Sequence, residues 1–345
     1  MLERGGAAVR LAGFVRGTAT LADAVAKREP LVLGVSHDAA MLHRVATTAR
    51  AAARPGALKR HMADSDVIMA RNLEQLAVAR RVTSGRRLVY ECLDIHRLLT
   101  SEGRAGRALQ AVERRLLAGI DLLLTSSPGF VREHFAPRLG DTPVRLVENK
   151  MLVERLPETR GAPLAPQVPL QIGWFGMLRC KRSVAVLRDV ARQGEGRVEV
   201  TIRGKPSPAE LPDLARDIAG TPHIAFAGPY AYHDLPALYA QCHLAWAVDW
   251  FEEGQNSAWL LPNRLYESLA FGVVPIVLDG TELANWARTH GVGLVVKDAK
   301  HAREKLLALT PDTVAALQKE VAAVPLSAVM ADDVACRELV QVIAP

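Results

Sequence analysis

The run from Asp249 to Leu278 constrains this chain most: a polar loop, a short helix and an apolar strand follow one another without a break. The polar loop, from Glu252 to Asn256, leads into Leu260-Leu261-Pro262. Proline fits the first turn of a helix, where its missing N–H removes no hydrogen bond. Residues 263–271 read as a helix stopped by Gly272, the residue that enters the left-handed region with least strain. Residues 273–278, Val-Val-Pro-Ile-Val-Leu, read as a buried strand with Pro275 near its start. Loop, helix and buried strand in this order belong to an α/β sheet, which binds ligands beside such loops and helix N-termini.

On the helix, Leu265 and Leu269 share the anchoring face, with Tyr266 beside them. Glu267 lies one turn after Asn263, where its carboxylate can accept hydrogen bonds from two neighbouring ribose hydroxyls. Asn263 and Arg264 sit near the positive end of the helix dipole, a position that favours phosphate. The bland alternative is a capped surface helix with a solvated glutamate.

Pro262, Glu267, Ala270 and Gly272 match a P-x-x-x-x-E-x-x-A-x-G pattern, within the longer run N-S-A-W-L-L-P-N-R-L-Y-E. The stretch resembles the donor-binding segment of family 4 glycosyltransferases, and most closely a bacterial exopolysaccharide branch of them. The resemblance implies the GT-B fold: α/β, with two Rossmann-like, doubly wound parallel-sheet domains facing a cleft. It also implies a second glutamate eight positions before Glu267. That position is Trp259, so the first glutamate is absent or displaced to Glu252 or Glu253.

A chain of 345 residues suits one large or two ordinary domains, and 49% hydrophobic residues can fill real cores. A formal charge of +6 suggests anionic partners: a nucleotide, a diphosphate or an anionic membrane surface. Nucleic acid is disfavoured, because aromatics make up only 5% and no basic run is interleaved with them. Cys92, Cys180, Cys242 and Cys336 are widely spread and read as free thiols in a reducing cytoplasm. No apolar run approaches the ~18 residues of a membrane span.

In chain order, residues 8–14, 31–35, 66–69, 88–90, 121–124 and 144–147 read as strands. Helices fall between them, including 39–53, 73–82 and 106–117. This alternation makes a parallel sheet covered on both faces. Residues 1–155 form the expected first, acceptor-side domain. Relatives carry a strand, a glycine-bearing loop and a helix ahead of the strand at 8–14, and Met1 to Gly6 match the end of that helix. The resemblance therefore implies a first domain lacking its first strand, with the natural start upstream or the chain a shortened form.

Residues 152–168, with Pro157, Pro163 and Pro166, read as the linker. The expected second domain, residues 168–325, opens with a strand at 170–175. It runs into Gly176-Met177-Leu178-Arg179-Cys180-Lys181-Arg182-Ser183. A glycine turn entering a helix beside three cations is a phosphate cradle. The family pattern here is G-R-L-x-x-x-K-G. Met177, Arg182 and Ser183 replace three of its residues, and Arg179 is expected to supply the lost charge. Strands at 198–202 and 224–226 end at Arg203 and before Gly228; by resemblance the second of these loops lies against the nucleotide base. Asn256, from the polar loop, completes the expected donor set. The final helix, within residues 326–345, is expected to cross back to the first domain.

On the acceptor side, Glu91-Cys92-Leu93-Asp94-Ile95-His96 follows a strand and resembles the family's D-x-H. Asp94 would take the acceptor hydroxyl's proton if transfer inverts the anomeric carbon, and His96 would steady the sugar or the leaving diphosphate. The alternatives are a helix-capping aspartate and a structural histidine. Arg71, Asn72, Ser126 and Asn149 are the expected acceptor contacts. Asp64-Ser65-Asp66 is a D-x-D that precedes a strand rather than following one, and reads as a helix-end turn. Basic side chains and helix termini suffice for the diphosphate, so no metal and no cofactor is expected beyond the sugar nucleotide as co-substrate. His37-Asp38, His61 and His243 lack ligand spacing and read as structural or surface residues.

These readings imply a cytoplasmic enzyme, peripheral at the inner membrane. It would move a hexose from a nucleoside diphosphate sugar to a saccharide acceptor, lipid-linked, in cell-surface glycan synthesis. The fold leaves two alternatives: a sugar-nucleotide epimerase, or a catalytically silent subunit of a polysaccharide assembly complex.

Overall fold

The structure, a computed structural model, describes residues 1–17, 23–36 and 41–344. His37 and Asp38, and the start of the helix expected at 39, lie outside the described residues. The chain divides into two compact units, residues 1–147 with 333–345, and residues 148–332. The first unit thus ends ahead of residue 155, and the C-terminal segment joins it from Asp333 rather than 326.

In the first unit, strands β1 (Ala12–Arg16) and β2 (Leu31–Ser36) pair in parallel. Strands β3 (Val67–Arg71), β4 (Arg87–Cys92), β5 (Leu122–Thr125) and β6 (Val144–Leu146) form a second parallel sheet in that order. β5 is buried throughout, as expected of a strand covered on both faces. The helix Asp333–Ile343 buries Leu339 and Ile343 against Val89, Leu122 and Leu124. Each such side chain contributes about 1.5–3 kcal/mol, enough to hold the chain's last helix on this sheet. The strand expected at 8–14 is shorter than its pattern. Residues 8–11 lie outside the ladder and, with residues 66–71 of the β3 edge, line a cavity of about 890 Å³.

The second unit is a six-stranded parallel sheet. Its strands are β8 (Leu170–Leu178), β9 (Val198–Pro206), β10 (Ile224–Phe226), β11 (Leu244–Trp246), β12 (Val274–Leu278) and β13 (Leu294–Val296). They run in the spatial order β10-β9-β8-β11-β12-β13. Counted within the unit this is 3-2-1-4-5-6, and its winding reverses between β8 and β11. Trp174, Trp246 and Ile276 are fully buried in the core beneath that point. A short pair, β7 (Met151–Leu152) with β14 (Met330–Ala331), ties the unit's two ends together, so the expected linker begins as a strand. Helices Ala299–Leu307 and Pro311–Ala323 complete the unit and escaped the sequence reading. Their caps were visible in it: Asp298 accepts from the His301 N–H, and Thr310 stands before Pro311.

Candidate functional site

In a doubly wound sheet the ligand crevice opens where the winding reverses, at the carboxyl ends of the strands. In the second unit that place is the end of β8, at Gly176. Its φ of +110° is a conformation that side-chain-bearing residues rarely adopt. A Cβ there would lie 3.8 Å from the Arg264 guanidinium and 4.0 Å from the Tyr230 hydroxyl, so both groups surround the glycine. Arg264 donates to the carbonyls of Met177 at 3.3 Å and Trp246 at 3.5 Å, bridging β8 and β11. Arg203 donates to the Pro229 carbonyl at 2.8 Å and so holds the loop after β10. In that loop Gly228, at φ +74°, accepts the Gly204 N–H at 2.9 Å.

Glu267 rises into this group from the helix Asn263–Ala270, whose Leu265, Tyr266 and Leu269 are fully buried. Its carboxylate is only 8% exposed and accepts a hydrogen bond from the Tyr239 hydroxyl at 3.1 Å. Burial pushes the Glu267 carboxyl above the usual carboxylate range, while Tyr239 and Arg264 pull it back. Burial and the facing Glu267 carboxylate push the Tyr230 phenol up to about 12, so it stays a neutral donor. The other side of the helix is fastened by Glu148, which accepts from Tyr266 Oη at 3.0 Å and Trp286 Nε1 at 3.2 Å. Asn263 is exposed at the helix start, and Asn256 is buried at the start of the helix Asn256–Trp259.

The helix Lys181–Gln193 begins just after β8. The Cys180 sulfur caps it, accepting the Ser183 N–H at 3.3 Å, and the Ser183 hydroxyl donates to the Val248 carbonyl. The three cations here have distinct surroundings. Arg179 pairs with Asp249 at 3.1 Å and lies over the Phe251 ring. Arg182 pairs with Glu253 at 3.2 Å and lies over the Trp250 ring, with about half its side chain exposed. Lys181 turns to Glu210 at 3.6 Å. Asp249 and Glu253 therefore carry the counter-charges of the two arginines of the expected phosphate cradle. Of the two displaced-glutamate candidates, Glu253 is the one that meets Arg182.

In the first unit, Arg71, Asp94, His96 and Ser126 follow or end the adjacent strands β3, β4 and β5. Arg71 pairs with the buried Glu91 at 2.5 Å. Asn72 starts its helix at φ +69°, a strained value for a residue with a side chain. The His96 Nδ1 accepts the Leu98 N–H at 3.2 Å, which places the ring proton on Nε2. Burial, with Arg44 and Arg97 nearby, pushes His96 below the usual histidine range. At neutral pH it therefore offers an N–H donor and no base. Ser126 is buried, and Ser127 caps the next turn.

Asn149, expected on the acceptor side, falls in the second unit, where it donates to the Leu261 carbonyl at 3.2 Å. His243 is held at both ring nitrogens, by the Gln171 N–H and the Ala165 carbonyl. His61 meets the Leu11 carbonyl. Asp64 lies in the turn before β3 and pairs with Arg10. Tyr230 and Tyr239 were missed from the sequence, because no local pattern marks a tyrosine whose partner is 28 or more residues away.

No family model matches the chain. The succinoglycan biosynthesis protein ExoL of Rhizobium meliloti (strain 1021) is 41% identical over 356 aligned positions, which span 99% of this chain and 88% of ExoL. Sucrose-phosphate synthase from Thermosynechococcus elongatus shares the fold, with a TM-score of 0.66 at 12% identity over 96% of this chain and 98% of that one. Anabaena HepE, solved with UDP, gives 0.63 at 13% identity over 96% and 98%; it has also been solved with UDP-glucose. WaaG, a glycosyltransferase of lipopolysaccharide biosynthesis, gives 0.58 at 12% over 96% and 99%. Related to ExoL along nearly its whole length, the chain belongs to the exopolysaccharide-biosynthesis branch of the family 4 glycosyltransferases, sugar-transferring enzymes of the GT-B fold.

Proposed function

We propose that the enzyme transfers a hexosyl group from a nucleoside diphosphate sugar to a saccharide acceptor, lipid-linked, at the cytoplasmic face of the inner membrane. The observation that carries the donor assignment is the buried Glu267 carboxylate beside Arg264 and Tyr230, the two groups that surround Gly176. A nearly buried carboxylate with few protein partners suits the hydroxyls of a ribose. Arginines and a half-buried glycine backbone suit a diphosphate. The complexes of HepE make a UDP-sugar the first donor to try.

In transfer, the bond from the anomeric carbon to the diphosphate oxygen breaks and a bond to the acceptor oxygen forms. Arg182, Lys181 and the amino end of the helix Lys181–Gln193 would take up the charge of the leaving diphosphate, in place of a metal ion. Asp94 would receive the acceptor's proton in an inverting reaction, with the His96 Nε2–H steadying a sugar oxygen. Arg71, Asn72 and Ser126, on the same strand-end rim, would line the acceptor.

Incubation with labelled sugar nucleotides and a crude lipid-linked acceptor fraction tests the reading. Transfer supports it. Isomerisation of the donor, or binding without turnover, would replace it. An Asp94→Asn enzyme should bind the donor normally and turn over about 10²–10⁴-fold more slowly; full turnover would leave Asp94 a structural residue.

A further inference from the structure

Glu267 meets its buried surroundings unevenly. Oε2 accepts the Tyr239 hydroxyl at 3.1 Å, while Oε1 takes no protein hydrogen bond among the described residues. Tyr239, at the end of the helix Leu235–Tyr239, is fully buried. Its ring stacks on Phe271, with centroids 5.5 Å apart, and meets the edge of Phe175 at 5.1 Å. These contacts leave the ring one orientation, so the hydroxyl is delivered to a set point. Leu235, Leu238, Cys242, Ala245 and Val273 pack around it and offer no competing charge. The charged and titratable groups facing Glu267 from neighbouring elements are Arg264 on its own helix and Tyr230, Tyr232 and Tyr239.

We propose that Tyr239 is a positioning residue for the donor site: its hydroxyl pins Oε2 of Glu267, so that the carboxylate stays charged and presents Oε1 to the ligand. This rests on the reading of Glu267 as a sugar-nucleotide contact. The physical reason is desolvation. A carboxylate this deeply buried tends to take up a proton, and a protonated carboxyl cannot accept from two ligand hydroxyls equally well. One donated hydrogen bond from a rigid phenol opposes that tendency and fixes the rotamer. It also leaves Oε2 one lone pair, so the two ligand hydroxyls meet inequivalent oxygens.

The test is Tyr239→Phe, which keeps the stacked ring and removes only the hydroxyl. In the ligand-free protein, the Glu267 side-chain carboxyl is followed by carbon-13 NMR through a pH titration. Its midpoint should rise by about one to two pH units, the worth of a hydrogen bond to a charged group. UDP-glucose affinity is then measured from pH 5 to pH 9. Affinity is present above the Glu267 midpoint and lost as the pH falls through it, so the whole curve should move up in pH with the substitution. The Kd should weaken about tenfold on the acid side and recover at pH 9.

An unmoved carboxyl midpoint would overturn the positioning role. A midpoint that moves while UDP-glucose affinity stays the same at every pH would uphold the Tyr239–Glu267 coupling and overturn the donor reading beneath it. Should the variant not fold, the Tyr239 ring-carbon signal of the unaltered protein serves instead. It should shift as Glu267 takes up its proton, and a signal that ignores that titration would overturn the proposal.

Discussion

Gly204 lies so close to Gly176 that a Cβ on it would stand 1.8 Å from the Gly176 carbonyl oxygen. Both residues are also in positive-φ conformations, +142° and +110°. β8 and β9 therefore approach each other beside the proposed donor site in a way that no side chain allows. Gly204→Ala should destabilise the protein by roughly 2–5 kcal/mol, from overpacking and backbone strain together. Urea unfolding followed by the fluorescence of the buried Trp174 and Trp246 reads this loss, and a midpoint equal to the parent's would contradict it.

Glu267→Ala should weaken sugar-nucleotide affinity by about ten- to hundredfold, the value of one or two hydrogen bonds to a charged group. The helix itself should survive, since Leu265, Tyr266 and Leu269 anchor it. Calorimetry with UDP-sugars, run beside a thermal melt, separates lost binding from lost fold. Unchanged affinity would remove the donor site from this helix.

Arg182 is half-exposed and its pairing with Glu253 is solvated, a kind of contact worth well under 1 kcal/mol. Arg182→Ala should leave the melting temperature within a degree or two of the parent, yet slow turnover by about tenfold through the lost charge at the leaving diphosphate. Steady-state kinetics would show the fall in kcat with little change in donor KM. A change confined to KM would make Arg182 a ground-state contact instead.

His96 is held below the usual histidine range, so its neutral form carries the Leu98 hydrogen bond at Nδ1. The sign follows from the depressed value. The stabilising contribution is fully present above the unfolded pKa of about 6.5 and is lost as the pH falls through the lower folded one. Histidine proton NMR should find a His96 midpoint below the value of about 6.5 of an unperturbed histidine, and a midpoint at or above that value would contradict the assignment.

Much of the second unit was legible in the sequence, because its signals are local. β10 matches the bounds of the strand read at 224–226. β8 and β9 run three and four residues past their expected ends, to Leu178 and Pro206, because they continue to pair with each other beyond the apolar runs that marked them. The first unit was harder to read. Residues 8–11 have the composition of a strand, but hydrogen-bonded pairing needs a neighbour, which pattern cannot supply.

The sequence alone determined the order of most strands and helices, the glycine turn before a basic helix start, and the single carboxylate one turn into the helix that begins at Asn263. Each depends on spacing along the backbone, which the chain carries with it. Only the tertiary structure decided that Arg179 and Arg182 are met by Asp249 and Glu253, that Asn149 belongs to the second unit, and that Tyr239 grips Glu267. Those partners are distant in sequence and adjacent only because a sheet wound 3-2-1-4-5-6 gathers its strand ends at one reversal point.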